Sequence, residues 1–69
     1  MELKDIQIRL REAIKNSSIK QKDIAKEIGV SAQTVSKYMK LDIFPALDTF
    51  AKLCKELGLD ANYILGLID

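Results

Sequence analysis

The feature that most limits what this chain can fold into is Gly29, because it falls between two short amphipathic segments that have only Gly29, Val30 and Ser31 to turn in. Ile24, Ala25 and Ile28 recur at helical spacing from Gln21 to Ile28. A glycine directly after such a run ends it in the left-handed conformation, which glycine adopts without steric cost. Ser31 is then placed to accept from amides two or three residues on, capping a third helix that runs through Val35 and Tyr38 to about Lys40. Two helices crossing after so short a turn need a small side chain where they approach, and Ala25 supplies it. Ile24, Ile28, Val30, Val35 and Tyr38 point into the wedge behind them, which forces Ser31, Gln33, Ser36, Lys37 and Lys40 outward, with the small Ala32 among them.

The rest of the chain reads as helices around that corner. Leu3, Ile6, Leu10, Ala13 and Ile14 form a stripe for a first helix ending around Asn16-Ser17-Ser18, with Ile8 off the stripe. Leu41-Asp42-Ile43-Phe44-Pro45 reads as an unusually apolar loop, since Pro45 disfavours helix at the residue before it. From Ala46 to Leu57 the stripe is Leu47, Phe50, Ala51, Cys54 and Leu57, closed by Gly58. Asp60 caps a last short helix carrying Tyr63, Ile64 and Leu67, with Leu59 and Ile64 spaced for a hydrophobic staple. The expected fold is all-α: five helices in one compact domain over residues 1–69, helices 2 and 3 forming a helix-turn-helix.

Composition removes several functions. The chain has no histidine, no nucleophile beside an evident base, no glycine-rich phosphate loop and no cluster of metal ligands, so it does not read as an enzyme, and no cofactor or metal is expected. The one cysteine, Cys54, sits within an apolar helical pattern and is expected to be a reduced core residue. No apolar run reaches membrane-spanning length, and Met1-Glu2-Leu3-Lys4-Asp5 lacks the features of a secretory signal, so a cytoplasmic location is expected. The net charge of +1 conceals a polarity. Residues 1–40 hold nine Lys or Arg against five acids, and residues 41–69 hold two against five. The basic part suits a polyanion such as nucleic acid.

Lys20-Gln21-Lys22-Asp23-Ile24-Ala25-Lys26-Glu27-Ile28-Gly29-Val30-Ser31, followed by Thr34-Val35-Ser36-Lys37-Tyr38, resembles the lambda-repressor and Cro-like helix-turn-helix family, also called the xenobiotic response element type. Pro45-Ala46-Leu47-Asp48-Thr49-Phe50-Ala51-Lys52-Leu53, Leu57-Gly58-Leu59 and Tyr63-Ile64-Leu65-Gly66 continue the resemblance in the family's order and spacing. It implies a small transcriptional regulator, a repressor, that binds double-stranded DNA with its third helix in the major groove. Carried over by position, Ala32, Gln33, Ser36 and Lys37 face base edges, where Gln suits adenine, Lys reaches guanine acceptors and the Ala32 methyl meets a thymine methyl. Lys20, Gln21, Ser31 and Lys40 contact phosphate and set the docking register. The alternative is a protein-interaction module of the same fold, such as an antitoxin or adaptor, and the uncharged-and-basic outer face of the third helix argues against it.

Three departures from the family pattern carry expectations. Ala32 replaces a glutamine that in several phage repressors touches the residue corresponding to Gln21, so base preference differs here. Many members have glycine where this chain has Leu41, so the loop after the third helix is expected to take another conformation. Ile14 and Met39 stand where members often pair an Arg with a Glu, and an apolar contact between them is expected to tie the first helix to the end of the third. A homodimer is expected, through either Ile64, Leu67 and Ile68 or Leu41, Ile43 and Phe44, because related repressors pair on two half-sites; the other reading of Leu41, Ile43 and Phe44 is that they cover the edge of the core. No small-molecule effector is evident, since the sequence leaves no room for a sensing domain before Asp69.

Overall fold

The structure, a computed structural model, describes residues 1–68; Asp69, the end of the expected domain, lies outside the described residues. Five helices follow one another: α1 (Leu3–Asn16), α2 (Gln21–Ile28), α3 (Ala32–Met39), α4 (Leu47–Leu57) and α5 (Ala61–Ile64). No strand occurs among the described residues, and none of their helices is long and apolar enough to cross a membrane. α2 packs most extensively on α3 and also on α4, while α1 reaches across to α3 and α5.

The helix ends follow from local chemistry. Gly29 closes α2 at φ 76°, with its own amide and that of Val30 both donating to the Ala25 carbonyl, at 2.9 and 3.0 Å. Gly58 closes α4 in the same way at φ 67°. Ser31 caps α3 by accepting from the Thr34 amide at 3.1 Å, and Asp60 caps α5 by accepting from the Tyr63 amide at 3.2 Å.

One core serves all five helices. Leu10 and Ile14 of α1, Ile24, Ala25 and Ile28 of α2, Val35 and Tyr38 of α3, Phe50 and Leu53 of α4 and Ile64 of α5 are all buried in it. Val30, Met39, Phe44, Leu57 and Leu59 pack against this cluster from its edge. Ile14 is buried in this cluster and Met39, half-buried, packs against it.

The stripes need correction at their ends. Leu3 is exposed because it lies in the first turn of α1, one turn beyond the buried Gln7 and two beyond Leu10. In α4 the buried row is Phe50 and Leu53, flanked by the half-buried Cys54 and Leu57, whereas Leu47 is 80% exposed and Ala51 is also exposed. Residues 47, 50, 51 and 54 and residues 50, 53, 54 and 57 share the same helical spacing, and only the second row is buried or half-buried at every position. In α5 Ile64 alone is buried, while Tyr63 and Leu67 are exposed, since the helix ends at Ile64 and Gly66 turns the chain at φ 77°.

Leu41 gives the largest correction to the loop. It does not take a conformation different from a glycine's; it adopts the left-handed one itself, at φ 63°. The reason lies in the end of α3, where the Asp42 amide donates to the Lys37 carbonyl at 3.0 Å and the Leu41 amide to the Tyr38 carbonyl at 3.1 Å. This pair of bonds closes a helix only if the residue after the cap turns left-handed, whatever its side chain. A left-handed leucine costs roughly 1–2 kcal/mol relative to the right-handed region, so the surrounding structure must enforce it.

Candidate nucleic-acid interface

The outward face of α3 is built by what its inward face buries. Val35 and Tyr38 point into the core, fixing the helix about its own axis. Gln33, Ser36, Lys37 and Lys40 then fall at spacings of three, four and seven residues along the opposite side. Gln33, Lys37 and Lys40 are exposed and Ser36 is half-buried. Ala32, the first residue of α3, is exposed at the same end as Gln33. The four residues expected to read bases are therefore all at or near the surface of one helix, in two successive turns.

The residues expected at phosphates lie around that row. Lys20 and Gln21 are exposed at the start of α2, Lys20 as its cap and Gln21 as its first residue. Lys40 caps the far end of α3 and is exposed. Ser31 is also exposed, but its hydroxyl is already engaged, lying 2.9 Å from the Thr34 hydroxyl as well as accepting the Thr34 amide. Among the described residues the one ion pair is Arg11 to its neighbour Glu12, at 3.1 Å. Lys20, Lys37 and Lys40 therefore keep their ammonium groups for a partner, and no bond to a carboxylate must be broken to use them.

Three positioning features escape a reading of spacing. Gln7, 7% exposed on α1, donates its side-chain amide to the Leu41 carbonyl at 3.2 Å, across to the end of α3. Its place on the buried side of α1, one turn from Leu3 and Leu10, was the only available signal, and a polar residue there reads as a break in the stripe. Arg9 donates to the Tyr63 carbonyl at 2.6 Å and sets its guanidinium 4.3 Å from the centre of the Tyr63 ring, holding α5 to α1. Phe44 meets Phe50 with ring centres 5.4 Å apart, which anchors the apolar loop to α4. Phe44 and Leu41 are therefore half-buried in their own chain, leaving Ile43 as the exposed member of that set. Ile64, 1% exposed, is sealed in the core and cannot serve as a dimer contact, whereas Leu67 and Ile68 are exposed.

Cys54 is half-buried as a free thiol. Burial pushes it above its ordinary value of 9.0, and the Asp60 carboxylate acts in the same direction. The fold thus holds the thiol proton more tightly than the unfolded chain does. That contribution is whole below about pH 9 and is lost as pH rises through the folded value. Urea midpoints should be flat up to about pH 9 and fall as pH rises above it, and Cys54→Ala should reduce the fall. An equal fall in both proteins would remove the thiol from the account; Tyr38, whose hydroxyl burial raises above 10.0, loses its contribution only at higher pH and does not act in this range.

Comparison with known proteins adds a family to this geometry. A helix-turn-helix family model matches residues 10–64, from the middle of α1 to the end of α5. No curated protein and no solved structure gives a match. The family is one of DNA-binding proteins rather than enzymes, and the five-helix arrangement is that of a lambda-repressor-like domain. The matched span holds both helices of the corner, the glycine between them and the core that fixes α3, and on it the chain belongs to the helix-turn-helix family of the Cro/C1 type.

Proposed function

We propose that the protein is a sequence-specific regulator of transcription that represses by occupying an operator, with α3 inserted in the major groove. The observation that carries this reading is the exposed row Gln33, Ser36, Lys37 and Lys40, held opposite the buried Val35 and Tyr38. Such a row offers amide, hydroxyl and ammonium groups to base edges and phosphates, on a helix narrow enough for the groove. In this reading Ala32, Gln33, Ser36 and Lys37 meet bases, and Lys20, Gln21 and Lys40 meet phosphates. Ser31, its hydroxyl committed to the cap, contributes through the amides at the start of α3, which favour an anion.

The regulator acts as a homodimer on two half-sites one helical turn apart, about 34 to 36 Å centre to centre. Leu67 and Ile68, or alternatively Ile43, are the exposed members of the two apolar sets offered to the second copy. Sedimentation of the free protein and of its operator complex tests this part, and a strictly monomeric protein in both would sink it.

The groove assignment is tested by paired substitutions. Lys40→Ala should weaken binding to every duplex and make the salt dependence shallower by about one contact. Gln33→Ala should mainly relax preference at one base pair, for about 1–3 kcal/mol. Fluorescence titrations on a selected site and on random duplex, over a range of salt, separate the two. Equal losses on both duplexes for both variants would show the roles to be wrongly divided.

A further inference from the structure

We infer that Gln7, which lies on α1 and outside the proposed groove contacts, is a positioning residue for the DNA-facing end of α3: its buried amide holds Lys40 in place by fixing the residue that follows it. This inference rests on the groove reading above and adds to it a residue from another helix. The chain from Lys37 to Asp42 is pinned at two places. Within the helix end, the Asp42 amide returns to the Lys37 carbonyl and the Leu41 amide to the Tyr38 carbonyl. From outside, the Gln7 side chain donates to the Leu41 carbonyl at 3.2 Å.

The second bond matters because the residue it holds is a left-handed leucine, at φ 63°. Glycine would enter that conformation freely, whereas leucine prefers to leave it. The loop end therefore needs an outside partner, and Gln7, 34 residues away in sequence and 7% exposed, is the side chain that reaches it. With its Nε2 paired to that carbonyl and no buried polar side-chain atom left unpartnered among the described residues, the amide has little freedom to release it, since an unpaired buried amide is costly. If Leu41 relaxes toward the right-handed region, the closing bonds of α3 go with it. Lys40, exposed and immediately before Leu41, then swings on an unclosed helix end. Lys37, whose carbonyl takes the Asp42 amide, lies one turn earlier and keeps its place on the helix.

Salt dependence of duplex binding reads this directly, because each phosphate contact adds about 0.9 to the slope of log affinity against log salt. Gln7→Leu keeps the bulk of the side chain and removes the donor; Gln7→Asn keeps the donor but is one methylene too short. Either variant, shown helical and cooperative in melting at the assay temperature, should lose about 0.9 of slope and bind on the order of tenfold more weakly at about 0.1 M salt. In a Lys40→Ala background, Gln7→Asn should change the slope no further, because the contact it positions is already gone. Adding Leu41→Gly to Gln7→Asn should restore the parent slope, since glycine holds the turn unaided.

Three results overturn the inference. A parent-like slope and affinity in a folded Gln7→Asn protein would leave Gln7 a merely structural residue. A further loss of slope in the Lys40→Ala background would show that it acts through some other contact. Absence of salt-dependent binding by the parent chain would overturn the groove reading, and this inference with it; normal parent binding with either of the first two results overturns the inference alone.

Discussion

Leu53→Ala is expected to leave the chain largely unfolded near 37 °C, whereas Leu47→Ala, six residues earlier on the same helix, should melt within a degree or two of the parent. Leu53 is wholly buried and Leu47 is 80% exposed. Truncating a buried leucine removes the transfer free energy of its methyl groups and leaves a cavity, together about 2–5 kcal/mol. A domain of this size has roughly 3–10 kcal/mol of stability in total, so that one change consumes a large part of it. At about 4–8 °C per kcal/mol for so small a protein, a drop of the order of 15 °C follows. The exposed Leu47 leaves no cavity, and surface changes of this kind stay within about 0.5 kcal/mol. Thermal melts followed by circular dichroism compare the two, and similar midpoints would place the core on the wrong face of α4.

Ala25→Leu is expected to abolish duplex binding under conditions where the parent binds. Ala25 is buried on α2, the helix that packs most extensively on α3, and its carbonyl receives both amides of the corner, from Gly29 and Val30. Three added carbons find no room there. Overpacking of this kind costs about 1–3 kcal/mol, and the backbone shift that relieves it must spread α2 from α3. The groove reading requires both helices at once, α3 at the bases and the start of α2 at the phosphates, so spreading them breaks the shared register. A urea midpoint separates the two effects. Binding that survives in proportion to the folded fraction would show that the spacing of the helices is not what the duplex senses.

The corner was legible in the sequence because each of its steps is local. Ile24, Ala25 and Ile28 repeat with the period of the helix, Gly29 stops it, and Ser31 starts the next one three residues before the Thr34 amide it caps. The outward row on α3 followed from the same periodicity, since Val35 and Tyr38 are buried. α4 was less legible because two helical rows overlap in it, and choosing between Leu47 and Leu53 requires knowing where α2 lies. Leu41 was misread for a related reason. Its side chain argues against a left-handed turn, but the conformation is imposed by the closing bonds of α3 and by Gln7, 34 residues away. Tyr63 read as part of the apolar stripe of the last helix, and nothing in the 54 residues that separate it from Arg9 announces that one stacks on the other.

The tie between Arg9 and Tyr63 also determines which part of the molecule opens first. α5 has four residues, too few to stay helical when detached, and it leans chiefly on α1. Ile64 and the Arg9 guanidinium are its anchors, one apolar and one exposed to competing solutes. The last turn should therefore lift away well before the corner melts, giving amides near Tyr63 and Ile64 the fastest exchange with deuterated water of any helical amides, and offering proteases their earliest cut in the folded protein.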